Sequence, residues 1–172
     1  MRIALILLVL AAIGCADDES VSVATGERVV ERRIDGDSPF WSAAPYLFEG
    51  PFTCPLPQEV FVQLAVAHES FAIHNVGAAT SLEIRLEGES YDAALSAEPL
   101  LLVYAGAEVP DQRSDAANCF AIDKPGGGQA ASISIPVASG DVVTAIALEY
   151  EIGPGLDGSG SGTFRLRVIP TL

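Results

Sequence analysis

The chain has 172 residues, 49% of them hydrophobic and 19% charged, with a mean hydropathy of +0.36. That is enough for one domain with a sizeable core and too little for several. Nine Lys and Arg stand against 23 Asp and Glu, a net charge of -14, so a phosphate-backbone surface is repelled and nucleic acid is excluded as a partner. Gly (16) and Pro (11) are frequent enough to cut the chain into short elements, which argues against long helices.

The N-terminus carries Arg2, an apolar run from Ile3 to Ile13, then Gly14 and Cys15. A run of about eleven residues is too short for a bilayer core of roughly 30 Å and matches an export signal. Ala12-Ile13-Gly14-Cys15 resembles the bacterial lipobox, in which the cysteine sulfur is lipidated and cleavage falls before it. Residues 1–14 are therefore read as a lipoprotein signal peptide and Cys15 as the lipidated N-terminus; a conventional cut after Ala16 competes. Ala16 does not resemble the aspartate that retains enteric lipoproteins in the inner membrane, which favours the outer membrane. Asp17, Asp18 and Glu19 open an acidic tether over 15–26.

Residues 27–172 are expected to form a single all-β domain. Glu27 to Ile34 reads as a polar strand or arm, and Asp35-Gly36-Asp37-Ser38-Pro39 as a turn. Phe40, Trp41, Tyr46, Phe48 and Phe52 are expected to plug one end of the core. Strict alternation then marks half-buried strands: Leu82, Ile84 and Leu86; Ile133, Ile135 and Val137; Phe164, Leu166 and Val168. The runs 60–67, 71–76, 100–104 and 142–150 are apolar throughout, as in strands buried on both faces, although their Ala-rich parts also suit a helix. Turns are expected at Asn75 to Gly77, Glu87-Gly88-Glu89, Ser139-Gly140-Asp141, Pro125 to Gly128 and Gly153 to Gly162. Seven or more strands at this spacing predict an antiparallel, jelly-roll-like two-sheet sandwich.

With Cys15 assigned to lipid, Cys54 and Cys119 remain, an even pair in an exported chain, and a disulfide between them is expected. No second Cys or His lies two to four residues from either, so zinc is a poor alternative.

Four segments in order carry a family likeness: Ser81 to Leu86, Glu98 to Tyr104, Ser132 to Val143 with its Gly140-Asp141 turn, and Gly162 to Val168. Together they resemble the bacterial pre-peptidase C-terminal domain over about residues 71–168. The resemblance implies a jelly-roll-like β-sandwich without catalytic residues, used for adhesion, substrate contact or calcium-tuned stability. Where relatives carry paired acids after the Val-Tyr strand, this chain has Asp123 followed by Lys124, a departure that weakens the calcium expectation.

Catalytic chemistry finds little support. His68 and His74 flank Ser70 without forming a triad, and six strand residues would hold the rings roughly 20 Å apart, so both are expected to be ordinary, partly exposed histidines. Gly158 to Gly162 imitates a nucleophile elbow but has Gly160 where the nucleophile belongs. Gly126-Gly127-Gly128 lacks the Lys-Ser/Thr of a phosphate loop. Acidic loops at Asp35/Asp37, Asp111/Asp115/Asp123 and Asp157 are weak calcium candidates, Asp111, Asp115 and Asp123 foremost; none fits the twelve-residue calcium loop. The expected protein is a non-enzymatic, lipid-anchored envelope module, without a required cofactor, that binds a protein or glycan. The alternatives are a calcium-stabilised adhesion module and a carboxylate-dependent envelope hydrolase, with secreted or periplasmic placement if Cys15 is not lipidated.

Overall fold

The computed structural model describes residues 20–35, 37–43, 53–56, 66–90, 99–123, 125, 129–149 and 162–172. Among the described residues ten strands and one helical turn follow one another: β1 (Ser20–Val23), β2 (Arg28–Ile34), β3 (Phe40–Trp41), β4 (Val66–Asn75), β5 (Ser81–Ser90), β6 (Pro99–Ala105), α1 (Arg113–Ala116), β7 (Ala121–Asp123), β8 (Ala131–Pro136), β9 (Val142–Glu149) and β10 (Gly162–Thr171). They build two sheets, one in the order β1-β4-β9-β6-β7 with β3 also on β4, the other in the order β2-β10-β5-β8. We call these sheets A and B. The architecture is the expected β-sandwich, antiparallel except where β1 runs parallel to β4. Where described, the Ala-rich runs are strands and not helices; α1 lies outside them.

The alternating segments supply the layer between the sheets. Leu82, Ile84, Leu86, Ile133, Ile135, Phe164, Leu166 and Val168 enter it from sheet B, and Phe71, Ile73, Leu101, Val103, Ala145 and Ala147 from sheet A. Each large side chain removed from water stabilises the fold by roughly 1.5–3 kcal/mol before entropy is counted. Val137, beyond the end of β8, packs against this layer only partly.

A second apolar cluster lies on the other face of sheet A. It joins Leu100, Leu102 and Tyr104 of β6 and Ile146 and Leu148 of β9 to Trp41, Ala43, Leu56, Ala116, Ala117 and Cys119. Strands β6 and β9 are thus dry on both faces, which is why their sequences are continuously apolar instead of alternating. The Cys54–Cys119 disulfide forms inside this cover, with Cα atoms 5.4 Å apart.

Four expectations need correction. Ser20–Val23, read as tether, pairs with Ala72 to Asn75 and buries Val21 and Val23 between the sheets, so these residues belong to the sandwich. Glu87-Gly88-Glu89 is not a turn but the interior of β5, with Gly88 opposite Phe164 of β10; ten cross-strand pairs outweigh one local glycine. Trp41 does not plug the inter-sheet core: it lies in the outer cluster at 3% exposure, while Phe40 is 58% exposed. His68, expected to be partly exposed, is buried. Tyr46, Phe48, Phe52 and residues 60–65 of the run 60–67 lie outside the described residues.

One end of the sandwich is organised by Asn75, which is fully buried. Its Nδ2 donates to the carbonyls of Ala79 and Ala138, both at 2.9 Å, its backbone N–H donates to Asp141, and its carbonyl accepts from Gly140. The Gly140-Asp141 turn has a physical reason: Gly140 adopts φ of 91°, and the Asp141 carboxylate accepts the Ala138 N–H at 2.7 Å. Gly77 packs so closely under β1 that a Cβ would fall 2.0 Å from the Ala24 carbonyl oxygen.

Candidate functional site

Two regions bear side chains with chemistry to offer: the cover of sheet A and the open face of sheet B. The cover contains a cleft of about 530 Å³ lined by Tyr104, Ala105, Glu108, Val109, Pro110, Asp111, Asp115 and Asn118. The floor is rigid. The Tyr104 hydroxyl donates to the Ala116 carbonyl at 2.6 Å, and burial raises its pKa far above the ordinary phenol range, so it stays protonated. The Trp41 indole N–H donates to the Pro110 carbonyl at 2.6 Å, and its ring meets Tyr104 edge-on with centroids 6.2 Å apart. Glu108, Asp111 and Asp115 give the rim its negative charge.

His68 extends this aromatic group. Its ring centroid lies 6.2 Å from Trp41, and its Nδ1 stands 2.9 Å from the Pro39 carbonyl oxygen, a contact that requires the proton on Nδ1. The carbonyl orients the ring and the neighbouring tryptophan packs it, so the arrangement holds β3 against β4. His74 is half-buried near the other end of the same strand, six positions on, as the spacing implies.

The acidic candidates separate. Asp35 pairs with Arg33 Nε at 3.3 Å and accepts the Asp37 N–H at 3.0 Å, closing its own turn. Asp111 and Asp115 line the cleft, whereas the Asp123 carboxylate on β7 accepts the Ser132 N–H of β8 at 2.6 Å. That bond ties sheet A to sheet B and occupies an outward donor of the β8 edge; Pro136, four residues on, has no donor to offer. Among the described residues no group of three or more His, Cys, Asp or Glu could hold a metal ion. Asp157 and Gly126 to Gly128 lie outside the described residues, and of Gly158 to Gly162 only Gly162 is described, as the first residue of β10.

Sequence reasoning missed the charged lattice on the outer face of sheet B. Register places Arg165 between Glu31 and Glu87, and Arg167 opposite Arg85. Arg165 bonds Glu31 at 2.6 Å and lies 4.0 Å from Glu87, while Arg167 bonds Glu27 at 2.9 Å and lies 3.3 Å from Glu87. Hydrogen bonds that the guanidinium groups donate to the carboxylates hold both of their pKa values above the ordinary range. The signal was available: the polar members of the alternating strands Leu82 to Glu87 and Phe164 to Val168 are almost all charged.

Neither a protein-family model nor a curated protein matches the chain. Several solved structures are similar to it, two of them as follows. One is the pre-peptidase C-terminal domain of a collagenase from Bacillus anthracis, at 12% identity and TM-score 0.48, covering 90% of this chain and 99% of that one. The other is PliG from Aeromonas hydrophila, a periplasmic inhibitor of g-type lysozyme, at 10% identity and TM-score 0.42, covering 89% and 96%.

Proposed function

We propose that this chain is a non-catalytic binding module of the bacterial cell envelope, held to a membrane by lipid on Cys15 and engaging a protein or glycan partner. The observation that carries the reading is the Cys54–Cys119 disulfide, which closes the cover over sheet A. A structural disulfide belongs to an oxidising compartment, in keeping with the export signal ahead of it. The side chains best placed for acid-base work are committed elsewhere: His68 to Pro39, Asp123 to Ser132, Tyr104 to Ala116. The cleft of Tyr104, Glu108, Asp111 and Asp115 offers a concave acidic surface suited to a polar or cationic group of the partner.

The test begins with fractionation of cells expressing the full chain, followed by intact mass of the product. The expected result is a diacylglyceryl adduct at Cys15, abolished by Cys15→Ala, with Cys54 and Cys119 resistant to alkylation until reduced. Cytosolic protein with reactive Cys54 and Cys119 thiols would overturn the envelope assignment. Turnover of a peptide, ester or glycoside panel, lost on His68→Ala or Asp115→Ala in variants that still fold, would overturn the non-catalytic one.

A further inference from the structure

We infer that Glu69 and Ser38 form a proton-operated latch, which fastens the crossover between β2 and β3 to β4 when the Glu69 carboxyl is protonated and slackens it when the carboxyl is charged. The device belongs to the fold and does not depend on the partner proposed above. The crossover carries the chain from sheet B to sheet A and delivers β3, with Trp41, to the edge of β4. Two consecutive residues of β4 grip it from opposite faces of the sheet. On the cover side, the Pro39 carbonyl accepts the His68 backbone N–H at 3.0 Å and lies 2.9 Å from its Nδ1. On the inter-sheet side, which it shares with Ala67 and Phe71, Glu69 holds Ser38.

The proton count at Ser38 carries the inference. Its hydroxyl, in a residue only 8% exposed, accepts the Asp35 N–H at 3.1 Å. The same oxygen lies 3.3 Å from the Arg33 carbonyl and 3.0 Å from Glu69 Oε1, both of them acceptors while the carboxyl is charged. One hydroxyl hydrogen cannot serve both in full. A proton taken from solvent onto Glu69 Oε1 makes the carboxyl a donor to Ser38 Oγ. The hydroxyl hydrogen then turns to Arg33, and each contact becomes a complete hydrogen bond.

The surroundings give the sign. Burial raises the Glu69 pKa above the ordinary carboxylate range, against the Ser38 hydrogen bond and the attraction of Arg32 on β2, and Asp35 at the start of the crossover adds to the rise. The neighbours that β9 and β3 set on this side of β4, Ala147 opposite Glu69 and Phe40 opposite Ala67, are uncharged. A group that binds its proton more tightly in the closed form closes it in acid, and the hold is lost as pH rises through the folded pKa. Trp41 also donates to the Pro110 carbonyl in the lining of the cleft, so the latch governs how firmly that side of the cleft is held.

The experiment is hydrogen exchange on the folded full chain, from neutral pH into the acid range, with rates corrected for the pH dependence of free amides. The Asp35, Ser38 and His68 amides are expected to be less protected than those of β5 and β10 at neutral pH and to gain protection as pH falls. The gain is about tenfold for each pH unit separating the Glu69 pKa of the closed crossover from that of the open one. Glu69→Gln, whose amide supplies the missing donor, is expected to keep the high protection at neutral pH, and Ser38→Ala to stay low without a gain in acid. Retention of the wild-type pH dependence by Glu69→Gln, or wild-type protection that rises with pH, would overturn the latch. So would crossover amides as protected as those of β5 and β10 throughout, since the crossover would then have no opening of its own. If Ser38→Ala does not fold, the comparison with Glu69→Gln decides alone.

Discussion

Asn75 shows how one side chain fixes a whole end of the molecule. Its amide nitrogen serves two carbonyls from different loops, Ala79 and Ala138, in a site without solvent. Replacing it with Leu leaves those acceptors unmet, and the expected cost is about 1–3 kcal/mol in a denaturant melt. Gly77→Ala is also destabilising, because a Cβ 2.0 Å from the Ala24 oxygen forces the Val76–Gly77 turn away from β1; a lowered denaturant midpoint is the readout. The third residue is Glu69, where partial burial raises the carboxyl pKa above the ordinary glutamate range, opposed by the Ser38 hydroxyl at 3.0 Å and by Arg32. A carboxyl whose folded pKa lies above its unfolded one binds more protons in the native state, so stability falls as pH rises through that interval. Glu69→Gln should therefore raise the melting temperature at neutral pH, with the gain vanishing in acid once the wild-type carboxyl is protonated. No gain at neutral pH would contradict the assignment.

Among the elements, the disulfide-closed cover has the clearest consequence. In the chain-entropy view a bridge spanning 65 residues contributes about 4 kcal/mol, less any native strain. The double variant Cys54→Ser, Cys119→Ser is expected to lose up to that amount in a denaturant titration while keeping the β-rich far-ultraviolet spectrum, since the inter-sheet layer contains neither cysteine. Loss of the β spectrum would mean that the two apolar clusters fold as one.

The elements also show what the sequence could disclose. Leu82 to Leu86, Ile133 to Ile135 and Phe164 to Val168 were legible because a period of two leaves one arrangement that hides the oily side. The doubly buried strands β6 and β9 were legible as strands, but their second covering was not, because contact with Trp41, Leu56 and Ala116 depends on chain distant in sequence. Strand β1 escaped because four residues, Ser-Val-Ser-Val, carry little pattern until β4 supplies a partner. The same holds for the candidate site. The disulfide followed from counting cysteines, whereas the cleft and the arginine lattice exist only once register sets Arg167 against Arg85 and the cover sets Tyr104 beneath Asp111.

At the scale of the whole molecule, the excess of acid outside sheet B works against compaction. Self-repulsion of this kind is screened over about 10 Å at 0.1 M salt. The melting temperature of the protein should consequently rise as sodium chloride is added from low ionic strength, measured by calorimetry at neutral pH. A fall would mean that the ion pairs of sheet B, Glu31–Arg165 and Glu27–Arg167 among them, outweigh the long-range repulsion.

The parallel seam between β1 and β4 bears on how the protein withstands being pulled. Tension applied at Ser20 along β1 would load the four register pairs from Ser20–Ala72 to Val23–Asn75 together, as a lap joint is loaded. Val21 and Val23, seated between the sheets, act as pegs that must be dragged out before the seam slides. A domain gripped in this way resists unravelling when it is pulled from its N-terminal side.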